Sequence, residues 1–566
     1  MTSEPDLGRY TPAQIEEFYA SAQWADENFT ELLRSRAESN PGKVFVTDGT
    51  YALTFDGLYE SSQRLALGLY RHGLRPGDRV AVQLPNWAAF VLLAAALARI
   101  GVVMVPVMPI YRKDEVSHVV ADAGVRMAIA PAEFKGFDYV GMLEEIRRDA
   151  PTLQSIVAVR APRDRKMAYA ERGIEVLEDL MVAGVDPEQV DAELGFRAHP
   201  DDPFVIVYTS GTTSRPKGCV HTFNTYAAGA RALTVAFGHT ESDVQFGPSP
   251  ITHTTGLVTS VLVPLLAGAA THIMAEWSPV RALAEIEQYG CTAAVTATTF
   301  LQTLLAAAEE RPGADLSSLR VWTCAGSPIP ATVVEHAKAA LPTASVLSLY
   351  GRSENLSTTT CTVADAPERA IKSDGAALPG AEVKIVGDDG LEVPRGTEGD
   401  IAYRGPSHMI EYLNRPAETA ELFTPQGYSR SGDLGVMDAD GYVRVTGRTK
   451  DIVIRGGMNI SVREVEDKLA DHPDLSALAV VGMPDERLGE KVCCYVVARE
   501  GHRAPTVEEL RGYLVERGVA IQKTPERVVA VEELPMTATG KIQKHLLRRQ
   551  IAAELNQPTA SGAHRP

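Results

Sequence analysis

The chain has 566 residues, 45% of them hydrophobic and 23% charged, an ordinary globular composition that excludes wholesale disorder. It can bury several cores without help from disulfides or a structural metal. A net charge of −18 excludes nucleic-acid binding through bulk electrostatics, yet leaves room for a local basic groove that takes an anionic small molecule.

The N-terminus, MTSEPDLGRY, has no basic stretch followed by an apolar one, so no signal peptide is expected. Next come apolar runs alternating with helical periods, the pattern of a parallel or mixed sheet covered by helices. Arg79–Pro85 reads as a strand, Phe90–Ile100 as a helix and Val102–Val107 as a second strand. The window Ala88–Ile110 is the most apolar of the chain. Arg99, Gly101 and Pro106 interrupt it, so it reads as a buried helix entering a buried strand and not as a membrane span. Further strands are expected at Met127–Pro131, Ser155–Val159 and Phe204–Ser210. After about Gly380 short Gly-bounded alternating runs suggest a small antiparallel barrel or sheet. From about Asp451 strands such as ALAVVGM and KVCCYVVA interleave with amphipathic helices around Val462–Asp471 and Thr506–Arg517, the texture of a compact α+β domain. The polar end from about residue 555 reads as a frayed tail. The six cysteines (Cys219, Cys291, Cys324, Cys361, Cys493, Cys494) contain no CxxC, which fits neither a disulfide framework nor a zinc site and suits a reducing, cytoplasmic compartment.

The segment YTSGTTSRPKG, Tyr208–Gly218, follows an apolar strand. It crowds hydroxyls at Thr209, Ser210, Thr212 and Thr213 around Gly211, Gly218 and Lys217. Flexible backbone, many donors and one cation make a cradle for a polyphosphate. It is not a Walker A loop, since GxxxxGK[ST] is absent. A solvated turn would need neither the lysine nor the paired glycines. In Tyr350-Gly351-Arg352-Ser353-Glu354 an aromatic able to stack on a purine stands beside a hydroxyl and a carboxylate able to take Mg²⁺.

These segments resemble the signatures of the adenylate-forming superfamily, which includes acyl- and aryl-CoA synthetases, luciferases and peptide-synthetase adenylation domains. Further motifs follow in the family's order, so the resemblance spans about Phe29 to Arg549: Cys324-Ala325-Gly326-Ser327-Pro328, Ser431-Gly432-Asp433-Leu434-Gly435, the run Gly447 to Ile460, and PMTATGKIQK from Pro535 to Lys544. Ser214 stands where glycine is usual and Ser353 where threonine is commoner.

The resemblance implies an α/β fold: a large N-terminal domain of two helix-covered mixed sheets plus a small β-barrel, residues 1–449, and a mobile small α+β domain, residues 450–566. It implies that Thr209, Ser210, Gly211, Thr212, Thr213, Lys217, Gly326, Ser327, Tyr350, Gly351, Ser353, Asp433 and Arg448 bind ATP and AMP. Tyr350 would flank adenine, Ser353 the α-phosphate, and Asp433 the ribose hydroxyls. Glu354, with Thr213, would hold Mg²⁺. Lys450 would be the hinge, and Gly456 and Gly457 would line the CoA channel. Lys541 would reach the substrate carboxylate and α-phosphate once the small domain closes. His253, in the segment Pro248–Gly256, aligns where the family borders the carboxylate. Thr252, His253, Gly256, Cys324 and Arg352 are expected around the acyl pocket, with Arg352 facing a polar substituent.

The implied reaction is ATP-dependent ligation of a carboxylic acid to CoA through an acyl-adenylate, the acid being aromatic, alicyclic or of short to medium chain length. The alternative is an adenylating enzyme that loads a separate carrier protein. A catalytically silent nucleotide-binding protein would have lost Lys217, Glu354, Asp433, Arg448 or Lys541, and all five are present. Expected partners are the acid, ATP and CoA, with a carrier protein and a homodimer also admitted; no nucleic acid and no membrane span are expected.

Overall fold

The structure, a computed structural model, describes residues 7–209, 215–311, 313–326, 329, 331–448, 452–455, 458–485, 487–537 and 541–556. Its first eight-stranded sheet runs Glu411–Tyr412, Gly218–Thr222, Pro203–Tyr208, Val103–Pro106, Arg79–Val82, Met127–Pro131, Ser155–Val159, Ile174–Val176. Every neighbour from Pro203–Tyr208 to Ile174–Val176 is parallel. Val103–Pro106 and Met127–Pro131 are buried throughout, as expected of strands covered on both faces. The apolar window forms the helix Ala88–Arg99 and then the strand Val103–Pro106. Its one charge, Arg99, is buried but engaged by Gln63, the Phe196 carbonyl and Asp191.

The second eight-stranded sheet runs Asn355–Thr360, Ser345–Arg352, Val321–Ala325, Ala293–Thr296, Val244–Gly247, Ala270–Ile273, Val44–Thr47, Ala52–Thr54, parallel except for the outermost pair at each edge. The runs after Gly380 form an open antiparallel sheet of four strands, Glu382–Val386, Gly399–Arg404, Ser429–Met437 and Val443–Arg448. No pairing closes its first strand onto its last among the described residues, so the expected barrel is a sheet. The C-terminal sheet runs Met458–Ser461, Ile452–Arg455, Gly489–Ala498, Leu475–Asp485, with Arg527–Ala530 added beside Gly489–Ala498. The helices Val462–Leu469 and Val507–Glu516 share one core cluster with it.

Among the described residues no helix is long and apolar enough to cross a membrane. The six cysteines are free and buried. The carboxyl ends of Pro203–Tyr208, Val244–Gly247 and Val321–Ala325 lead directly into Thr209, the 248–256 loop and Gly326. This is where parallel α/β sheets place their ligands.

Candidate active site

Lys541 comes from the C-terminal part yet lines a cavity of about 60 Å³ walled by residues of the second sheet. A Cβ on Gly326, whose φ is +79°, would stand only 2.8 Å from Lys541 Cε and 3.4 Å from Nζ. Glycine there is what lets the lysine in. Lys541 is clasped at its base by Thr537: its N–H donates to Thr537 Oγ1 at 3.0 Å, and its carbonyl accepts from the Thr537 N–H at 2.7 Å. Burial, and then the nearby Arg448 guanidinium, lower its pKa to about 8.

Pro250, Ala297, Phe300, Leu349 and Leu356 give the cavity a mostly apolar wall. His253 lines it too and caps the short helix Thr254–Leu257, its Nδ1 accepting from the Thr255 N–H at 3.3 Å. Burial, aided by the Lys541 charge, pushes its pKa down to about 3. A neutral ring whose Nδ1 accepts must carry its proton on Nε2, so His253 offers a donor and no charge.

A larger cleft of about 1080 Å³ opens beside the cavity and is lined by Tyr350, Asp433, Arg448 and Lys541. The Tyr350 hydroxyl donates to Asp433 Oδ2 at 2.6 Å, and Arg448 Nε donates to Asp433 Oδ1 at 2.9 Å. Asp433 and Arg448 are register partners on neighbouring strands, which fixes the pair. Each carboxylate oxygen keeps a lone pair for a further donor, as a vicinal diol would need. The Ser353 carbonyl accepts from Nε2 of the buried His221 at 2.8 Å; burial lowers the His221 pKa to about 4 and keeps the ring neutral. The Glu354 carboxylate accepts from the Tyr412 hydroxyl. The Lys217 ammonium pairs with Glu418 and lies 4.8 Å from the Tyr412 ring centre. Thr209 and Lys217 close the base of the intervening loop with reciprocal bonds, 2.9 Å from the Thr209 N–H to the Lys217 carbonyl and 3.2 Å from the Lys217 N–H to Thr209 Oγ1.

The family model described as AMP-binding enzyme matches residues 33–413, and that of the AMP-binding enzyme C-terminal domain matches 464–541. The chain belongs to the AMP-binding, adenylate-forming enzymes. It is 36% identical to a medium-chain fatty-acid–CoA ligase of Escherichia coli over 94% of this chain and 92% of that one. It is 30% identical to a salicyl-AMP ligase/salicyl-S-ArCP synthetase of Mycobacterium tuberculosis over 99% and 97%. ATP-bound MatB from Rhodopseudomonas palustris superposes with a TM-score of 0.81 at 26% identity, covering 92% of this chain and 99% of that one. The chain is accordingly an AMP-forming ligase of the acyl- and aryl-CoA synthetase class.

Of the family residues expected from sequence, the fold gathers Lys541, His253, Gly326, Tyr350, Gly351, Asp433 and Arg448 around the cleft and cavity. Gly256 lines the cavity, and a Cβ on it would collide with the Pro250 carbonyl. Thr252 borders the cleft and not the cavity, its hydroxyl 3.4 Å from Met108 Sδ. Ser210, Gly211, Thr212, Thr213, Ser327, Lys450, Gly456 and Gly457 lie outside the described residues.

Besides Thr252, two expectations are corrected. Cys324 does not line the cavity; alternation along its strand turns it into the core cluster with Phe246 and Trp322, where burial raises its thiol pKa to about 12. Arg352 does border the cavity, but its guanidinium is spent on protein: Asn355 Oδ1 at 2.5 Å, the Arg430 carbonyl at 2.8 Å and Ser429 Oγ at 2.6 Å. It ties the turn after Tyr350 to the Ser429–Met437 strand and holds no donor fork ready for a substituent.

Three residues that the structure places beside the candidate site escaped sequence reasoning. Tyr412 and Glu418 bridge Lys217 and Glu354, but a tyrosine on a two-residue strand carries no mark of that role. Asn86 holds the loop that carries His253: its Nδ2 donates to the Gly247 and Ser249 carbonyls at 3.0 and 2.9 Å, and its Oδ1 accepts from the Ile251 N–H at 3.0 Å. Pro85-Asn86 directly after a strand was the available signal.

Proposed function

We propose that the enzyme activates a short aliphatic carboxylic acid as its acyl-adenylate and passes the acyl group to the thiol of CoA. The observation that carries this reading is the placement of Lys541, a lysine with a depressed pKa, at the junction of an apolar cavity and a nucleotide-sized cleft. A carboxylate in the cavity attacks the α-phosphorus of ATP. Pyrophosphate departs with the bonding pair of the broken P–O bond, and the acyl-adenylate forms. The thiol then adds to the carbonyl and loses its proton, and AMP leaves. Lys541 stabilises the charge that collects between carboxylate and phosphate in the first step. His253, neutral and lining both the cavity and the cleft, would serve as an uncharged donor beside them. The Tyr350–Asp433–Arg448 cluster is suited to the ribose, and Lys217 exchanges Glu418 for phosphate.

Among the described residues no three His, Cys, Asp or Glu side chains group as a metal cage. A single carboxylate such as Glu354 fits Mg²⁺ all the same, because that ion keeps several waters and shares its ligands with nucleotide phosphates. Glu354, with Thr213, would hold it, and it would supply charge neutralisation. On this reading Lys541 occupies the place at the carbonyl that the entering thiol would need. We therefore place a boundary between residues 1–449 and 450–566, with Lys450 as pivot and Gly456 and Gly457 brought in to line the thiol channel.

The cavity of about 60 Å³ is well below the roughly 150 Å³ of a cavity known to accept benzene, which favours a short chain over a ring. Transfer to a carrier protein is the second reading, favoured by the similarity to the salicyl-S-ArCP synthetase. An acid panel in ATP–pyrophosphate exchange, repeated with CoA and with a phosphopantetheinyl carrier, tests both readings. Acid-dependent exchange with AMP and acyl-CoA formed is expected. ATP left uncleaved with every acid overturns the proposal, and thioester formed only on the carrier selects the second reading.

A further inference from the structure

Gly229 lies in the interior of the helix Phe223–Ala236, where alanine would be the better helix former. Something else must require the missing side chain. A Cβ at Gly229 would stand 3.0 Å from Leu356 Cδ1 and 3.2 Å from Leu356 Cβ. Both contacts are tighter than most Cβ atoms make in packed proteins, so Leu356 would have to give by a few tenths of an ångström. Leu356 is buried on the strand Asn355–Thr360, and it also lines the acyl cavity.

Its backbone is hemmed in on the side of Gly351. The Leu356 carbonyl is packed so closely on Gly351 that a Cβ there would collide with it. The neighbouring Asn355 is held by Arg352 on one side and donates to Thr358 Oγ1 at 2.7 Å on the other. The isobutyl end, which makes the closer contact, can turn away more easily than the Cβ, and the cavity that Leu356 lines offers it room.

We propose that Gly229, which touches no substrate, sets the length of acid the enzyme accepts by fixing how far Leu356 projects into the cavity. The inference rests on the acid-activating reading above and deepens it. Gly229 is a positioning residue that acts through Leu356. A larger residue at 229 shortens the cavity, and a smaller one at 356 lengthens it toward the helix.

The test is pyrophosphate exchange with unbranched acids from acetate to dodecanoate, measuring kcat/KM for each acid and KM for ATP. Gly229→Ala is expected to move the cutoff to shorter acids. It should lose about tenfold in kcat/KM on the longest acid the wild type uses, relative to the shortest, with KM for ATP unmoved. Leu356→Ala is expected to move the cutoff to longer acids. The double variant should approach the Leu356→Ala profile, because the new methyl group no longer meets the Cδ1 it would crowd most and finds only the Cβ that alanine retains. It also keeps the test in force if Gly229→Ala alone folds poorly. A Gly229→Ala profile parallel to wild type, or a double variant that keeps the penalty on long acids, overturns the role of Gly229 and leaves the ligase reading intact. A wild type that exchanges pyrophosphate with no acid of the series overturns both.

Discussion

Lys541 is held where a charge is disfavoured, walled by protein and near the Arg448 guanidinium. An amine with its pKa lowered to about 8 is mostly ammonium below that pH and mostly neutral above it. Only the ammonium can stabilise developing phosphate charge. The free-enzyme parameter kcat/KM for adenylation should therefore fall as pH rises through about 8, well below the range of an ordinary lysine. In Lys541→Arg the fall should move to higher pH at reduced rate, since a guanidinium stays charged. A pH series of pyrophosphate exchange reads both outcomes. Asn86 belongs to the same scale. Its side-chain amide makes three bonds to one loop, and removing it frees the wall that carries His253. Asn86→Ala should lower acid-dependent kcat/KM about a hundredfold while leaving KM for ATP unmoved. Equal loss in both parameters would mean general damage instead of a misplaced wall.

The loop from Pro248 into the helix Thr254–Leu257 works as one element because Gly256 lets the Pro250 carbonyl settle against it. Gly256→Ala should cost about 1–3 kcal/mol in urea unfolding, the usual penalty of overpacking, and should also impair acid use. Elements of this kind divide what the sequence reveals from what it hides. Met127–Pro131 and Ser155–Val159 are legible to the residue, because burial on both faces demands an unbroken apolar run with turn signals at each end. The helix Ala88–Arg99 is legible through its length, and Arg99 within the apolar window argues against reading it as a span. The motifs around Tyr350, Asp433 and Lys541 are legible because several residue types must stand at fixed local spacing. Asn86 is not, since its partners lie 161 to 165 residues away. Neither is the Tyr412–Glu354 bond, nor the pairing of Gly229 with Leu356, because tertiary packing alone brings them together. Cys324 was misread for a related reason: motif position marks the loop, but strand alternation decides which way each side chain points.

At the scale of the whole molecule, the C-terminal part is docked by a ring of four charges. Arg463 Nη2 stands 3.7 Å from Asp374 and its Nε 3.7 Å from Asp467, while Arg444 reaches Asp374 at 4.0 Å and Asp467 at 3.7 Å. Ser461 Oγ adds a 2.8 Å bond to the Thr446 carbonyl. Arg463 and Asp467 both belong to the C-terminal helix Val462–Leu469, and each faces an opposite charge of the larger part, Asp374 and Arg444. Arg463→Met, which removes this charge from the ring, should weaken the arrangement. The rate of pyrophosphate exchange should drop accordingly, with thioester formation from supplied acyl-adenylate largely spared. Equal loss in both half-reactions would count against a docking role for Arg463. The double clasp between Thr537 and Lys541 has a consequence for fidelity. The clasp fixes the main chain from which the lysine projects, and the close wall at Gly326 hems its outer methylene, so on the proposed reaction the chamber opens mainly by the stroke that brings the acceptor. Water gains no earlier opportunity than the thiol does, and wasteful hydrolysis of the mixed anhydride is governed by one large, infrequent motion instead of by the continual flicker of a single side chain.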